Sequence, residues 1–256
     1  MKPEGKKMDP HGNSKDQELD TVKDTTPGTV NDDESPQSGN PFYFECPAAT
    51  MLVGPSMSGK TVLTMKILYN ANTMYAIPPQ KIVYAYGVYQ KVFADLENGV
   101  PNLTLHEGLP GKELVESLGS EDDDHHALLV LDDLLDEICK SAEMCALFTR
   151  EVHHRRISVI MISQNIYHQS RYSRTISLNS SYLILMKTCR DLQQIHHLSR
   201  QMFPSTPKRL LEAYEDATRV TRGYLVVNNL TGSGDDDIRL STGILPHDNL
   251  ILYTHK

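Results

Sequence analysis

Short runs of apolar residues alternate along this chain with segments whose apolar residues recur at helical spacing. Continuous apolar runs of four to eight residues are typical of strands that are buried on both faces. The pattern predicts strands at residues 50–53, 81–86, 103–105, 127–131, 157–162, 182–186 and 223–227. It predicts helices at residues 60–70, 134–151, 191–202 and 207–217. This alternation predicts an α/β fold, a three-layer sandwich with a largely parallel central sheet.

Residues 54–61 carry the strongest chemical signal, because GPSMSGKT fits the phosphate-binding pattern G-x-x-x-x-G-K-[ST] at every fixed position. A predicted strand precedes the motif and a predicted helix follows it, so backbone N–H groups would point at bound phosphates. Lys60 would reach the β- and γ-phosphates of ATP, and the hydroxyl of Thr61 would ligate Mg²⁺. The alternative is a chance match in a strand-to-helix turn. The predicted nucleotide-binding residues are Gly54, Pro55, Ser56, Met57, Ser58, Gly59, Lys60 and Thr61.

A second motif, which ends in two aspartates, follows the phosphate loop: the chain reads LLVLDD over residues 128–133, at the end of a predicted buried strand. The end of this strand would deliver Asp132 beside the phosphate loop, where its carboxylate would hold Mg²⁺. Asp133 would then act as the general base that polarises the attacking water. The alternative for Asp133 is a helix N-cap, a position that Asp often occupies.

The order of the strands narrows the class of nucleotide-binding fold. One predicted strand lies between the phosphate loop and Asp132, and another follows Asp132 and ends in Ser-Gln-Asn. This order is typical of P-loop NTPases of the additional-strand, catalytic-acid type. Gln164 is the candidate that senses the γ-phosphate or orients water, and its alternative role is to hydrogen-bond a neighbouring loop.

Arginines provide the candidates for contacts with other molecules. Arg155 or Arg156 could reach the ATP of a neighbouring subunit as an arginine finger, or could complement the dipole of a helix end. Residues 150–210 hold ten basic and two acidic side chains, a net charge of +8 in a chain whose net charge is −8. Such a basic region predicts a nucleic-acid partner. The predicted DNA contacts are Arg171 and Arg174, with subunit-interface chemistry or solubility as alternatives.

Composition and charge predict how the rest of the 256-residue chain is organised. Residues 1–40 hold five lysines, nine acids and no aromatic residue, which predicts a disordered acidic tail. Residues 41–235 would form the ATPase domain, and residues 236–256 a C-terminal strand and tail. No apolar run could span a membrane and the N-terminus has no signal-peptide core, so the protein is expected not to be secreted. The four cysteines are expected to be reduced and mostly buried.

With these motifs in place, residues 41–230 resemble the FtsK–HerA superfamily of ATPases. More narrowly, they are similar to the viral genome-packaging ATPases of poxvirus-like and Polinton or adintovirus-like elements. The motifs that carry the resemblance are GPSMSGKT, LLVLDD, HHRRISVIMISQN and RTISLNSSYLILMKTCRDLQQIHHLSRQMFP. Many members of the family have Glu at the position of Asp133, and the shorter side chain of Asp reaches less far.

The resemblance implies an ATP- and Mg²⁺-dependent ring, usually a hexamer, that threads double-stranded DNA into a preformed capsid. It implies a capsid or portal protein as a partner and the host nucleus or cytoplasm as the location. Two alternatives remain open. One is a replication helicase or initiator, for which 256 residues leave no room for an origin-binding or nuclease domain. The other is a structural or adaptor protein that binds ATP without hydrolysing it.

Overall fold

A computed structural model describes residues 40–119, 125–230 and 238–254. The predicted acidic tail lies outside these residues except for Asn40, whose side-chain amide donates to the carbonyl oxygens of Gly243 and Leu245 at 2.6 and 2.9 Å. Among the described residues, no helix is both long enough and apolar enough to cross a lipid bilayer.

Nine described strands form one sheet, in the order β3-β2-β4-β5-β1-β6-β7-β8-β9. Their bounds are β1 Ala49–Val53, β2 Lys81–Tyr86, β3 Leu103–Glu107, β4 Ala127–Asp132, β5 Ile157–Ser163, β6 Tyr182–Met186, β7 Tyr224–Asn228, β8 Leu240–Thr242 and β9 Ile251–Leu252. Strands β1 to β6 pair in parallel, and β7, β8 and β9 extend the sheet in antiparallel fashion. Strand β5 lies between β1, which precedes the phosphate loop, and β4, which ends at Asp132. This inserted strand confirms the predicted additional-strand type of P-loop fold.

Helices cover both faces of the sheet. Their bounds are α1 Lys60–Tyr69, α2 Ala71–Met74, α3 Val92–Gly99, α4 Lys112–Leu118, α5 Leu135–Lys140, α6 Ala142–Ala146, a π-helical segment Leu147–Glu151, α7 Val152–His154, α8 Ser173–Leu178, α9 Leu192–Met202 and α10 Pro207–Ala217. Alternate strand residues face two separate apolar clusters. One cluster contains α1, α2 and α3, and the other contains α4, α5, α6, α8, α9 and α10. The three-layer α/β sandwich is therefore confirmed.

The structure corrects two expectations. The single helix predicted over residues 134–151 is wrong, because the chain leaves the helical conformation at Ser141 and its hydroxyl accepts a hydrogen bond from Met144 N at 3.2 Å to begin a new helix. The four cysteines are free, but only Cys139 is buried, and Cys189 is exposed. The expectation of mostly buried thiols is therefore wrong.

The register of the parallel strands places their carboxyl ends at one edge of the sheet. Val53 of β1 pairs with Ser163 of β5, and Asp132 of β4 pairs with Ile162 of the same strand. The backbone N–H of Gly54 donates to the carbonyl oxygen of Ser163 at 3.1 Å, which continues the pairing into the loop. Ligands of open α/β sheets bind at this edge.

Candidate functional site at the carboxyl edge of the sheet

The phosphate loop connects β1 to α1, and its two glycines are required for different reasons. Gly59 has a left-handed φ of 105°, a conformation that glycine adopts without steric cost. Gly54 is required by space, because a Cβ there would lie 2.5 Å from Met186 Cβ and 2.8 Å from Ser58 Oγ. Met57, with a φ of 64°, is fully exposed at the tip of the loop.

Lys60 lies within the curve of this loop. Its Nζ donates to the carbonyl oxygens of Gly54 at 2.6 Å and Pro55 at 2.9 Å. Partial burial lowers the pKa of the Lys60 amine, and the charges of Asp132 and Asp133 oppose that shift. The amine is thus held beside the backbone that would surround a phosphate, with the two carboxylates near enough to interact with it.

Asp132 is buried at the end of β4 and has a tyrosine as its hydrogen-bond partner. The hydroxyl of Tyr84, on the adjacent strand β2, donates to Asp132 Oδ2 at 2.7 Å. Burial raises the pKa of the Asp132 carboxyl, the hydrogen bond from Tyr84 and the charge of Lys60 lower it, and the charge of Asp133 raises it further. Tyr84 is fully buried, so this hydrogen bond fixes the orientation of the Asp132 carboxylate from the interior of the protein.

Asp133 is exposed and has a left-handed φ of 57°. The N-cap of α5 is Leu134, so the capping role considered for Asp133 is not observed. Gly87 packs against this turn: its N–H donates to the carbonyl oxygen of Asp132 at 2.9 Å. A Cβ on Gly87 would lie 2.6 Å from the carbonyl oxygen of Asp133, so only glycine fits there without movement.

A cleft of 790 Å³ opens where these elements meet. Its walls include the predicted site residues Ser56, Met57, Gly59, Lys60, Thr61, Asp132, Asp133 and Gln164. Gly54, Pro55 and Ser58 line an adjoining cleft of 550 Å³, and Gln164 lines both clefts. The Thr61 hydroxyl and the Asp132 carboxylate offer oxygen ligands of the kind that Mg²⁺ prefers, so this donor set fits the ion.

Gln164 is exposed, and its neighbours fix the turn that follows β5. The hydroxyl of Ser163 donates to the carbonyl oxygen of Asn165 at 2.6 Å. Gln194 of α9 accepts a hydrogen bond from Ile166 N at 2.8 Å and donates to Asn165 Oδ1 at 3.2 Å. These bonds connect the turn that carries Gln164 to α9.

The structure places Arg155 and Arg156 away from this cleft. Both precede β5, so they lie at the amino edge of the sheet, whereas the phosphate loop lies at the carboxyl edge. Arg155 donates to the carbonyl oxygen of Gly119 at 3.4 Å and forms an ion pair with Glu116 at 3.7 Å. An arginine-finger role for either side chain therefore requires a second copy of the chain.

Arg171 and Arg174 are exposed on the segment that follows β5. The guanidinium of Arg171 stacks over the ring of Tyr172, 5.1 Å from its centroid. His168, which lines the cleft, has its Nε2 atom 2.9 Å from Oδ1 of Asp136 in α5. Because their segment follows β5, the two arginines lie on the carboxyl side of the sheet, as the phosphate loop does. They do not line the 790 Å³ cleft.

Two residues at the site carry no functional signal in the sequence. Tyr84 occupies a position that reads as part of a buried apolar strand, and no sequence pattern connects its hydroxyl to an aspartate 48 residues later. Arg222 precedes β7 and lines the 790 Å³ cleft. Arg222 lies outside the phosphate loop, the LLVLDD segment and the arginine-containing motifs described above.

Several solved structures are similar to this chain. The genome packaging NTPase B204 from Sulfolobus turreted icosahedral virus 2, in complex with ATP-gammaS, matches at 9% identity and a TM-score of 0.50, over 82% of this chain and 98% of that one. Its complex with AMPPCP matches at 10% identity and a TM-score of 0.45, with the same coverage. EssC (ATPases 2 and 3) from Geobacillus thermodenitrificans matches at 12% identity and a TM-score of 0.44, over 81% of this chain and 39% of that one.

No protein-family model matches the chain, and no curated protein matches it. The comparison with the ATP-gammaS complex and the observed strand order agree on the fold. This chain has the three-layer α/β fold of the P-loop NTPases.

Proposed function

We propose that this protein is an ATPase that translocates double-stranded DNA and packages a viral genome into a capsid. The observation that carries the proposal is the convergence of Lys60, Thr61, Asp132, Asp133 and Gln164 on one cleft at the carboxyl edge of the sheet. The likeness in fold to a protein described as a genome packaging NTPase supports the packaging role. Double-stranded DNA, further copies of this chain and a capsid or portal protein are the proposed partners, in the host nucleus or cytoplasm.

ATP would bind with its phosphates within the loop of residues 54–61. Lys60 now donates to the carbonyl oxygens of Gly54 and Pro55, so it would exchange these acceptors for phosphate oxygens without a large movement. Thr61 and Asp132 would hold Mg²⁺, which supplies neutralisation of phosphate charge. The side chain of Tyr84 would keep Asp132 oriented toward the ion.

Hydrolysis would depend on the groups around the γ-phosphate. Asp133, exposed to the cleft, would accept a proton from the attacking water. Arg155 or Arg156 of a neighbouring copy would stabilise charge in the transition state, a contact that increases turnover by about 10³- to 10⁵-fold in other nucleotide hydrolases. Gln164 would register loss of the γ-phosphate, and its turn would pass the change to α9 through Gln194.

The proposal is tested by ATP hydrolysis with and without double-stranded DNA. We expect DNA to stimulate turnover of the wild type, and we expect Lys60→Ala and Asp133→Asn to abolish it. Nucleotide binding without turnover under any DNA condition would refute the motor and favour the binding-only alternative. Strand displacement on forked DNA would instead favour the helicase.

The role of the arginine finger is tested by mixing two inactive variants. Lys60→Ala lacks the phosphate contact, and a double Arg155→Ala, Arg156→Ala variant lacks the finger. In a mixed ring, some interfaces combine an intact loop with an intact arginine, so we expect activity to return. If the mixture stays inactive although both variants assemble, the finger does not act between subunits.

The DNA surface is tested by binding of a labelled duplex to the Arg171→Ala, Arg174→Ala variant. Loss of phosphate contacts weakens binding and reduces its dependence on salt concentration. The double variant Arg200→Ala, Lys208→Ala removes two exposed cations, one from α9 and one from α10, and serves as the matched control. Equal losses in the two variants would show that net charge, rather than this loop, determines the affinity.

A further inference from the structure

Arg222 lies at the junction of two clefts. It lines the 790 Å³ cleft that holds Lys60 and the two aspartates, and it also lines a cleft of 760 Å³ whose walls include residues of α1 and α10. Gly59, Val62 and Arg222 are shared by the two. Because Gly59 belongs to the phosphate loop, phosphates bound in that loop would lie beside Arg222.

The backbone holds this arginine against the phosphate loop. Arg222 has a left-handed φ of 59°, an uncommon conformation for a residue with a side chain. Its Cγ, Cδ and Cβ lie 3.1, 3.2 and 3.3 Å from the position that a Cβ on Gly59 would occupy. The next residue, Gly223, has no room for a side chain, because a Cβ there would lie 2.3 Å from the carbonyl oxygen of Ala217. The aliphatic part of Arg222 thus packs over Gly59, beside the N-terminal end of α1.

The acidic side chains outnumber the lysine and arginine side chains in this cleft, so a cation at the position of Arg222 matters for binding phosphates. Among the described residues that line the 790 Å³ cleft, the acids are Asp132, Asp133, Asp136 and Glu137, and the lysine and arginine side chains are Lys60 and Arg222. A triphosphate would add further negative charge to that set. An arginine side chain donates two parallel hydrogen bonds to phosphate oxygens and is positively charged, so it would offset the repulsion between the triphosphate and the acidic side chains.

We infer that Arg222 is a second cation of the nucleotide-binding site, contributed by the same chain as Lys60, and that it contacts the phosphates of bound ATP. The inference rests on the proposed function, because it requires that the loop binds a nucleotide. It differs from the arginine-finger contact, which comes from another subunit. Arg222 is in place in a single copy of the chain, so its contribution concerns binding and does not require a ring.

The test is isothermal titration of the purified full chain with ATPγS and with ADP. Removing a charge-assisted hydrogen bond with Arg222→Ala should weaken ATPγS binding by about tenfold. Arg222→Lys keeps the positive charge but cannot form the bidentate hydrogen bonds of a guanidinium, and should give an intermediate affinity. Arg219→Ala is the matched control, because Arg219 lines only the 760 Å³ cleft and pairs with Asp216 at 3.1 Å. Its affinity should stay within about twofold of the wild type.

Three outcomes would overturn the inference. Unchanged affinity in Arg222→Ala, while Lys60→Ala loses binding, would refute the role of Arg222 and leave the proposed function standing. Equal losses in Arg222→Ala and Arg219→Ala would indicate a general effect of surface charge. A wild-type chain that binds neither nucleotide would refute the proposed function and this inference with it. Thermal unfolding of each variant shows whether the fold is retained.

Discussion

The hydroxyl of Tyr84 is predicted to set the affinity of the site for Mg²⁺. In Tyr84→Phe the ring still fills its buried position, and only the donor to Asp132 Oδ2, 2.7 Å away, is lost. Loss of a hydrogen bond that orients a metal-binding side chain typically weakens metal binding by about 10- to 100-fold. The Mg²⁺ concentration that gives half of the maximal ATPγS binding should therefore rise by about this factor.

The assay measures ATPγS affinity over a Mg²⁺ titration and again in excess EDTA. Tyr84 does not line the phosphate cleft, so nucleotide affinity in EDTA should be unchanged. Tyr86→Phe is the control: Tyr86 lies two residues further along β2 and its ring packs against Tyr89 and Phe93, with centroids 5.7 and 5.2 Å apart. This variant removes a hydroxyl from the same strand and should leave the titration unchanged.

Either of two results would refute this reasoning. An unchanged Mg²⁺ titration in Tyr84→Phe would show that Asp132 does not depend on Tyr84 for its orientation. A loss of nucleotide affinity that is equally large in EDTA would show that the substitution disturbs the loop itself. Because the buried carboxylate of Asp132 loses its partner, Tyr84→Phe should also lower the free energy of unfolding, by about 1–3 kcal/mol in urea.

Three further predictions concern stability and motion. Burial lowers the pKa of His126 to about 4 from 6.5, so only the unfolded chain binds that proton between these values. The free energy of unfolding should fall toward acid by up to about 1.4 kcal/mol per pH unit, a slope missing from His126→Gln in urea titrations. Gly87→Ala should displace Asp133, costing about 1–3 kcal/mol in the same assay and most of the ATPase turnover. Gln194→Ala removes the acceptor of Ile166 N, so that amide should exchange faster with deuterium.

The parallel strands and the phosphate loop could be predicted because each has a local signature. A strand buried on both faces, such as Ala127–Asp132, must be apolar throughout, and this is visible in a window of six residues. The inserted strand followed from the order of these runs along the chain. The edge on which Arg155 and Arg156 lie also follows from sequence, because residues before a parallel strand and residues after it occupy opposite edges.

The remaining features depend on contacts that the sequence does not encode locally. The apolar spacing of residues 134–151 continues through Ser141, whereas the extended backbone at Ser141 and its capping bond to Met144 show that one helix ends there and another begins. The hydrogen bond from Tyr84 to Asp132 and the packing of Arg222 on Gly59 join residues that are far apart in sequence. Periodicity indicates that a side chain is buried, but does not identify its partner.

The short strand β9 has a consequence for how the sheet meets other molecules. With only Ile251 and Leu252 it offers few free backbone groups at this edge, and a short edge strand discourages the addition of strands from other chains. Tyr253 holds the edge in place: its carbonyl oxygen accepts from Arg209 at 3.2 Å and its hydroxyl donates to Asp216 at 2.9 Å. The sheet formed by the described strands is therefore protected at this end from the addition of strands from other molecules, and in the proposed ring the contacts between copies would be made by side-chain surfaces.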